Sequence, residues 1–499
     1  MSALQVREVG RIREIKKSIA RVTGLRRVMN GQLLEVSEVT RGLVVGFQGQ
    51  EVLAFLLGRI EDVRVGDPVY SELKPFTLPA GEAFLGRIVN ALGEPIDGKE
   101  KIVDEAAVMS PVFRPAPGIL EREPLSEALE TGTLVIDAVI PIGKGQRQLI
   151  IGDRMTGKTT LALDAILHQK DKGTVCIYCC VGKSFSAFQK AVEVIKRHGA
   201  LSYTIVVEAH AAASTGEQYL CPYTACMLGE YFMDRGRNVL VVFDDLTKHA
   251  WAYRQLSLLL ERPLGREAYP GDIFYIHSQL MERAGRYSSE FGRGSMTFLP
   301  IVETLQGDVT GYVPSNLVSM TDGQIYLDAD LFNSGVKPAV DLGLSVSRIG
   351  NKVQTPAMRE LSGTLRLEYV RYREIMRMAR FQSSLLGDAP DRVKQGEVLR
   401  ELFRQGQHRP YSLFKQVVLL YAFKRGVLKV MSMEEGTRFQ ETIVPFIQER
   451  DPSLPMEVES SGVLTAEAAK RMDRLFVLFF KKDGDKGRGA APETSERRL

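Results

Sequence analysis

The arrangement of apolar and polar positions divides the 499 residues into three parts. Short β-rich runs at 32–37, 43–47 and 51–58 are separated by glycine and polar residues, a spacing typical of a small barrel. From about residue 148 to 348, apolar β-branched runs alternate with helical segments, which is typical of a parallel sheet covered by helices. After about residue 356, long helical periodicities dominate.

These patterns predict a multidomain protein with an N-terminal small β-barrel at 1–77, a central α/β domain at 78–355 and a C-terminal α-helical domain at 356–480. Strands of the central domain are predicted at 148–151, 174–181, 204–207 and 239–243, and helices at 158–169 and 186–198. Helices of the last domain are predicted at 358–386, 392–405, 412–425 and 466–480. Residues 481–499 are charged and Gly-rich, and we expect a disordered tail there.

The first 27 residues are basic and allow two interpretations. Ile12, Ile15, Ile19 and Val22 fall at helical spacing, as in an organellar presequence or an amphipathic membrane helix. However, glycines bracket the segment, it contains two acids, and short strands follow it. We favour two strands around a turn at 16–18.

Composition excludes several classes of protein. Lys+Arg 65 against Asp+Glu 61 leaves a formal net charge of +4, too small for a protein that coats nucleic acid by bulk electrostatics. No apolar stretch approaches the roughly 18 residues of a membrane span, and the start has no secretory apolar core. We therefore expect the protein to be soluble and intracellular, with no nucleic-acid partner.

Five cysteines are too few for a disulfide framework. Cys176 and Cys179 have C-x-x-C spacing, but on a strand their side chains would point to opposite faces. We therefore favour plain core thiols over redox or metal chemistry.

The strongest chemical signal is a match to G-x-x-x-x-G-K-[ST], located between an apolar strand and a helix. The match is Gly152-Asp153-Arg154-Met155-Thr156-Gly157-Lys158-Thr159. In such loops the backbone N–H groups and the helix N-terminus face phosphates. Lys158 would contact the β- and γ-phosphates, and Thr159 would hold Mg²⁺. The motif predicts binding of ATP or ADP.

A second carboxylate is needed beside the metal, and Asp244 follows the apolar run 239–243. Asp244 is our candidate, although the pattern is common and a turn aspartate would look the same. Hydrolysis also needs a base that orients water, normally at the end of a neighbouring strand. Lys183 stands there, and because it is a cation at pH 7 the site is equipped to hold nucleotide but poorly equipped to cleave it.

These segments resemble the alpha subunits of F-type ATP synthases, and not the catalytic beta subunits. Besides the phosphate loop, the resemblance covers roughly residues 10–425 and includes Asp244-Asp245-Leu246-Thr247-Lys248, Gly265-Arg266-Glu267-Ala268-Tyr269-Pro270-Gly271-Asp272 and Gly343-Leu344-Ser345-Val346-Ser347-Arg348. It implies a RecA-like central domain and a largely noncatalytic, regulatory nucleotide site.

The resemblance also implies partners and further site residues. The partners would be a beta subunit in an alternating alpha3-beta3 ring, a gamma central stalk, peripheral-stalk subunits and a membrane ion-channel sector. The protein would be peripheral, on the cytoplasmic side of the cell membrane, in a complex that couples ATP synthesis or hydrolysis to ion transport. Arg348 would reach the catalytic site of the neighbouring beta subunit, and Ser345 and Ser319 would support that interface. Pro338, Gln405 and Gln407 would lie beside the adenine, with Ser319 counted among the cofactor-binding residues.

Several residues depart from the family pattern. Met155 stands where the family usually has Gln, Lys183 replaces the usual Gln after Gly182, and Lys337 replaces Arg beside Pro338. Most of the N-terminal helical extension that meets the peripheral stalk is missing, so we expect that contact to be made differently. We interpret the protein as a divergent, alternate branch whose complex moves either H⁺ or Na⁺, an ion chosen in the membrane sector.

Two related motors are the alternatives. A hexameric RNA translocase resembling the Rho termination factor would need aromatic stacking platforms on the small β domain. The aromatics before residue 78 are Phe47, Phe55, Tyr70 and Phe76, and the first two lie in apolar runs where core packing is the expected role. A type III export ATPase would need a catalytic Glu that is missing near Lys183.

Overall fold

The first domain of the computed structural model, which describes residues 7–71, 74–379 and 390–484, is a closed β-barrel. Its strands are β1 (Glu8–Lys16), β2 (Ile19–Thr23), β3 (Leu33–Glu35), β4 (Thr40–Gln48), β5 (Glu51–Gly58) and β6 (Pro68–Ser71), in the order β1-β2-β5-β4-β3-β6. β6 closes the barrel by pairing antiparallel with β1. The interpretation of the basic start as two strands is thus confirmed from residue 8 onward.

One residue of the barrel departs from expectation. Phe55 is buried in β5 as predicted, whereas Phe47 is 53% exposed. Phe47 follows a bulge between Val44 and Gly46, and the last residues of β4 extend into solvent beyond it. The expectation of core packing for Phe47 was therefore wrong.

A short antiparallel pair connects the barrel to the central domain. It consists of β7 (Thr77–Ala80) and β9 (Val108–Pro111), and the intervening β8 (Ile88–Asn90) joins the edge of the central sheet. The other strands of that sheet are β10 (Leu149–Gly152), β11 (Val175–Val181), β12 (Thr204–Ala209), β13 (Asn238–Asp244), β14 (Gly285–Arg286), β15 (Ser295–Glu303), β16 (Gly323–Leu327) and β17 (Val346–Ser347).

The order of this sheet explains where a ligand site forms. Within the described residues the order is β17-β16-β10-β15-β13-β11-β12-β8, parallel from β16 to β8, with β17 and β14 antiparallel to their neighbours. The carboxyl ends of β10, β11, β13 and β15 therefore meet at one edge. Residues 152, 183, 244 and 303 lie at these ends, and ligands of open α/β sheets bind at such edges.

Helices cover both faces of the sheet and form the last domain. Those of the central domain are α1 (Leu134–Val139), α2 (Lys158–Leu167), α3 (Phe185–Arg197), α4 (Thr215–Met233), α5 (Leu246–Leu259), α6 (Ile273–Met281), α7 (Tyr312–Met320) and α8 (Ala329–Asn333). Those of the last domain are α9 (Pro356–Ser362), α10 (Leu365–Ala379), α11 (Pro390–Leu402), α12 (Leu413–Lys424), α13 (Met433–Arg450), α14 (Ser453–Ser461) and α15 (Ala466–Gly484).

The helical domain differs in detail from its prediction. The expected helix at 358–386 is divided between α9 and α10 at Gly363 and Thr364, and its residues 380–386 lie outside the described part. α13 and α14 were not anticipated. α15 runs to Gly484, so the first four residues of the expected tail are helical, and residues 485–499 lie outside the described range.

Because side chains alternate between the two faces of the sheet, the three cysteines of β11 lie in two different cores. Cys176 and Cys180 pack with α2 and α3, whereas Cys179 packs on the other face with α4. All five cysteines are buried and free, and the Cys179 and Cys221 Sγ atoms are 3.6 Å apart. Burial raises the pKa of Cys226 to about 12. The prediction of buried core thiols is confirmed.

A buried ion pair joins α4 to Arg283, the second residue after α6. Arg283 donates from Nε to Glu230 Oε1 at 2.6 Å and from Nη2 to Oε2 at 2.7 Å, and its Nη1 donates to the Val112 carbonyl at 2.9 Å. Both side chains are almost fully buried. The paired guanidinium thus connects three segments of the central domain.

In residues 7–71, 74–379 and 390–484, no helix combines the length and apolar character needed to cross a membrane.

Candidate functional site

The phosphate loop predicted from sequence connects β10 to α2. Gly157, the residue before α2, has a φ of 98°, which is favourable for glycine. Met155 at the tip of the loop is 89% exposed with a φ of 62°. Because α2 begins at Lys158, its unpaired N–H groups face the space above the loop, as anion binding requires.

Residues from the segment after β15 hold this loop. Asp153 Oδ1 accepts hydrogen bonds from Thr304 Oγ1 at 2.6 Å and from the Gly307 N–H at 2.9 Å. Lys158 Nζ donates to the carbonyls of Gly152 at 2.9 Å and Asp153 at 2.5 Å. The ammonium of Lys158 therefore lies inside the curve of the loop, and burial lowers its pKa.

A cavity of about 910 Å³ opens above the loop. Its wall brings together most of the residues that the sequence predicted for the nucleotide. They are Arg154, Met155, Thr156, Gly157, Lys158, Thr159, Asp244, Pro338, Gln405 and Gln407. Lys183, which was not predicted as a nucleotide-binding residue, lines the same cavity. Gly152 and Asp153 lie directly beneath, in β10 and in the loop.

A closed polar network lies at the sheet end of this cavity. Thr159 Oγ1 donates to Asp244 Oδ2 at 2.9 Å, and the Tyr178 hydroxyl donates to the same oxygen at 2.8 Å. Lys183 Nζ donates to Thr159 Oγ1 at 2.8 Å and forms an ion pair with Asp244 Oδ1. Asp244 is the last residue of β13 and is fully buried. Its Oδ1 atom has only the Lys183 ammonium as partner among the described residues.

This network bears on the expected magnesium ligands. The hydroxyl of Thr159 and the carboxylate of Asp244 do lie together, as predicted. However, both already contact the ammonium of Lys183, which lies between them as a bound cation would. Burial opposes the charged form of Lys183, but the nearby carboxylates of Asp244 and Asp245 favour it, and the pKa of Lys183 is raised. The donor set therefore does not fit Mg²⁺ while Lys183 keeps this position.

Two further acids lie near this network, and sequence reasoning missed their role. Asp245 is buried; burial and the charge of Asp244 raise its pKa to about 7. Glu303, at the end of β15, is an ion-pair partner of Lys248, with Nζ to Oε2 at 3.1 Å. The sequence signal that could have identified Glu303 was the apolar run at 295–303, which ends in this acid. Because Glu303 is held by an ammonium, it is a poor general base.

The far end of the cavity is formed by the helical domain. Gln405 Oε1 accepts from the Leu134 N–H at 3.1 Å, and Nε2 donates to the carbonyls of Gly132 and Arg409, both at 2.8 Å. The amide of Gln405 is thus committed to backbone groups. Gln407, by contrast, is exposed, and Gln407 and Pro338 both line the cavity. The geometry suits Gln407 and Pro338 better than the Gln405 amide for contact with a base.

Hydrogen-bond contacts also connect α2 to the segment that carries Gln407. Asp164 Oδ1 accepts from the His408 N–H at 2.9 Å and lies 3.0 Å from its Nδ1. Burial raises the pKa of Asp164 to about 6. The rim of the cavity is therefore fastened to the helix that begins at the phosphate loop.

Three predicted residues lie outside the cavity. Ser319 is exposed on α7, and its hydroxyl donates to the Asn316 carbonyl at 2.6 Å. Ser345 is fully buried, and its Oγ accepts from the Tyr326 N–H at 2.9 Å. The Ser345 hydroxyl therefore supports the β16 backbone, and its assignment to a neighbouring catalytic site stays a prediction.

Arg348 is placed differently. It follows β17 and is exposed, and its N–H donates to the Asp322 carbonyl at 2.8 Å. In the described parts of the protein its guanidinium has no ion-pair or hydrogen-bond partner. The role of Arg348 at a neighbouring subunit stays a prediction.

Comparison with known proteins gives matches along nearly the whole sequence. Three family models match in order: the β-barrel domain of the ATP synthase alpha/beta family at 5–72, its nucleotide-binding domain at 132–347 and its C-terminal domain at 354–479. The ATP synthase subunit alpha of Clostridium botulinum (strain Eklund 17B / Type B) is 45% identical over 472 residues, covering 95% of this protein and 93% of that relative. The subunit of the same name from Caldanaerobacter subterraneus subsp. tengcongensis is 43% identical over 485 residues, covering 97% and 96%.

Proposed function

Since the protein belongs to the ATP synthase alpha/beta family and its relatives are alpha subunits, we propose that it is the nucleotide-holding, largely noncatalytic alpha-type subunit of a rotary F-type ATP synthase. The observation that carries this proposal is the cavity at the phosphate loop, in which the end of β11 presents an ammonium instead of a free carboxylate. The cavity can hold the phosphates and the base of ATP or ADP. It has no free carboxylate at β11 to orient an attacking water.

In this proposal the protein alternates with beta subunits in an alpha3-beta3 ring, around a gamma stalk and beside peripheral-stalk subunits and a membrane ion channel. The free guanidinium of Arg348 supports a contribution to the beta subunit's catalytic site. The ion, H⁺ or Na⁺, is selected by the membrane sector. A Rho-like RNA translocase is not supported, because the relatives are ATP synthase alpha subunits.

Binding without turnover is the direct test. We expect the purified full-length protein to bind ATP, and Lys158→Ala to weaken binding about 10- to 150-fold, because a charge-assisted phosphate contact contributes roughly 1.5–3 kcal/mol. Isothermal titration measures affinity, and phosphate release measures turnover. Lys190→Ala, which changes an exposed lysine of α3, is the matched control and should bind like the wild type.

The same experiment can contradict the proposal in two ways. Steady hydrolysis by the lone subunit at roughly 1 per second or more would be typical of an enzyme and would remove the noncatalytic assignment. Equal binding by wild type and Lys158→Ala would show that nucleotide does not use the phosphate loop.

We further expect a peripheral location, held through partner subunits on the cytoplasmic face of the membrane. Washing membranes with low-salt, chelating buffer should then release the protein without detergent. A protein that only detergent extracts would instead have its own lipid contact. The basic barrel segment around β1 would be the first place to look for it.

A further inference from the structure

We infer that the ammonium of Lys183 substitutes for the divalent cation in this cavity, so that the site binds ATP or ADP without Mg²⁺. The inference rests on the proposed nucleotide binding and specifies its chemistry. Its basis is the position of Lys183 Nζ, which contacts both Thr159 Oγ1 and Asp244 Oδ1, the two groups that a metal ion would use.

The network is complete in its present form. The Thr159 hydroxyl has one proton, which it donates to Asp244 Oδ2, while its oxygen accepts from Lys183. Asp244 Oδ2 accepts a second hydrogen bond, from Tyr178, and Oδ1 faces the ammonium. Each protein group that could ligate a metal therefore already has its partners, and a metal ion would have to displace the lysine.

Displacing the ammonium would be costly. Asp244 is fully buried, and Lys183 is the only partner of its Oδ1 atom in the described residues. Nearby Glu303 is no alternative destination for the ammonium, because it is already paired with Lys248. Removing the partner of a buried charge destabilises a protein far more than breaking an exposed ion pair does.

The backbone holds Lys183 in place. Gly182 before it has a φ of 63°, and a Cβ at that position would lie 2.7 Å from the Lys248 Cβ. Ser184 after it caps α3 by accepting the Ala187 N–H. The end of β11, the conformation of Gly182 and the Ser184 cap of α3 thus direct the Lys183 side chain into the cavity and not toward solvent.

The position also suits the ligand. The ammonium lies beside Thr159, at the N-terminus of α2, where the terminal phosphates of a bound nucleotide would lie. The ammonium of Lys183 supplies one positive charge where Mg²⁺ would supply two. Lys158, at the end of the phosphate loop, supplies a second positive charge. A lysine acts as a point charge toward phosphate and needs no ordered coordination shell.

The test compares nucleotide affinity with and without divalent cation. Full-length protein is titrated with ATP in excess Mg²⁺ and again in excess EDTA, for the wild type, Lys183→Gln and the control Lys190→Gln. We expect wild type and Lys190→Gln to have dissociation constants within about threefold in the two buffers, and Lys183→Gln to bind at least about tenfold more weakly in EDTA. Removing the ammonium frees Thr159 and Asp244 for the metal.

Three other outcomes of this titration would contradict either the inference about Lys183 or the proposed nucleotide site. Wild-type binding that weakens tenfold or more in EDTA would show that Mg²⁺ displaces Lys183, leaving nucleotide binding intact and the inference wrong. Lys183→Gln that remains independent of Mg²⁺ would show that the lysine is not the substitute. Absence of wild-type binding in both buffers would overturn the proposed nucleotide site itself. The wild-type comparison requires no variant to fold.

Discussion

A ring assembled with Arg348→Lys in every copy of this subunit is expected to lose multi-site ATP turnover by about 10³- to 10⁵-fold, the range typical of an arginine finger. A guanidinium delivered by a neighbour stabilises the charge that develops on the γ-phosphate in the transition state. Lysine keeps the charge but loses the planar fork, so the substitution tests geometry as well as charge.

This expectation would be weakened if the Arg348 guanidinium had a structural partner within its own subunit, and the described residues provide none. Arg348 is exposed, and its backbone is held by the Asp322 carbonyl. A surface arginine in an ion pair would contribute about 1 kcal/mol or less, and no such pair exists for Arg348 among residues 7–71, 74–379 and 390–484.

Turnover is measured as phosphate release by the assembled complex, and nucleotide binding at the Lys158 cavity by titration of the full-length protein. Binding should be unchanged, because Arg348 lies outside the cavity. Arg59→Lys, an exposed arginine of the barrel, provides the matched control. Near-normal turnover with Arg348→Lys would remove this residue from the catalytic site.

The largest stability effect is expected from Glu230→Gln. The substitution leaves the guanidinium of Arg283 buried without its carboxylate, and breaking a buried pair in this way typically costs about 3–5 kcal/mol. Urea unfolding followed by fluorescence of Trp251 measures the effect, because this single tryptophan lies on α5, which packs against α4. The urea midpoint should fall clearly.

Glu82→Gln is the control for this measurement. Glu82 pairs with Arg237 at 3.3 Å on the surface, where such pairs contribute about 1 kcal/mol or less. Equal midpoints for Glu230→Gln and Glu82→Gln would show that burial does not increase the contribution of the Arg283 pair.

The fold was predictable where the hydrophobic pattern is strong. The runs that become β11 and β13 are continuous and apolar because both faces of the sheet are covered, and α2 follows a motif that places a helix there. Prediction failed where a pattern is locally ambiguous. Phe47 lies in an apolar run, but it follows the bulge between Val44 and Gly46 and its side chain is exposed, although β4 stays paired with β5 to its end.

The site was predictable as a set of residues, but not as a set of contacts. Sequence placed Lys158, Thr159 and Asp244 together because motif and strand order bring them to one sheet edge. It also identified Lys183 as an anomaly, yet only the geometry shows that its ammonium lies on both expected metal ligands. The tertiary hydrogen bonds of Gln405 and Ser345, which decide what these residues are free to do, link positions far apart in sequence.

Burial of all five thiols has a practical consequence for studying the molecule. With Cys176, Cys179, Cys180, Cys221 and Cys226 all inside the cores, a polar maleimide has no accessible target in the folded protein. A cysteine introduced at exposed Gln407 would then be the single labelled position, with no need to remove the native ones. A fluorophore attached there would stand at the rim of the cavity and report its occupancy directly.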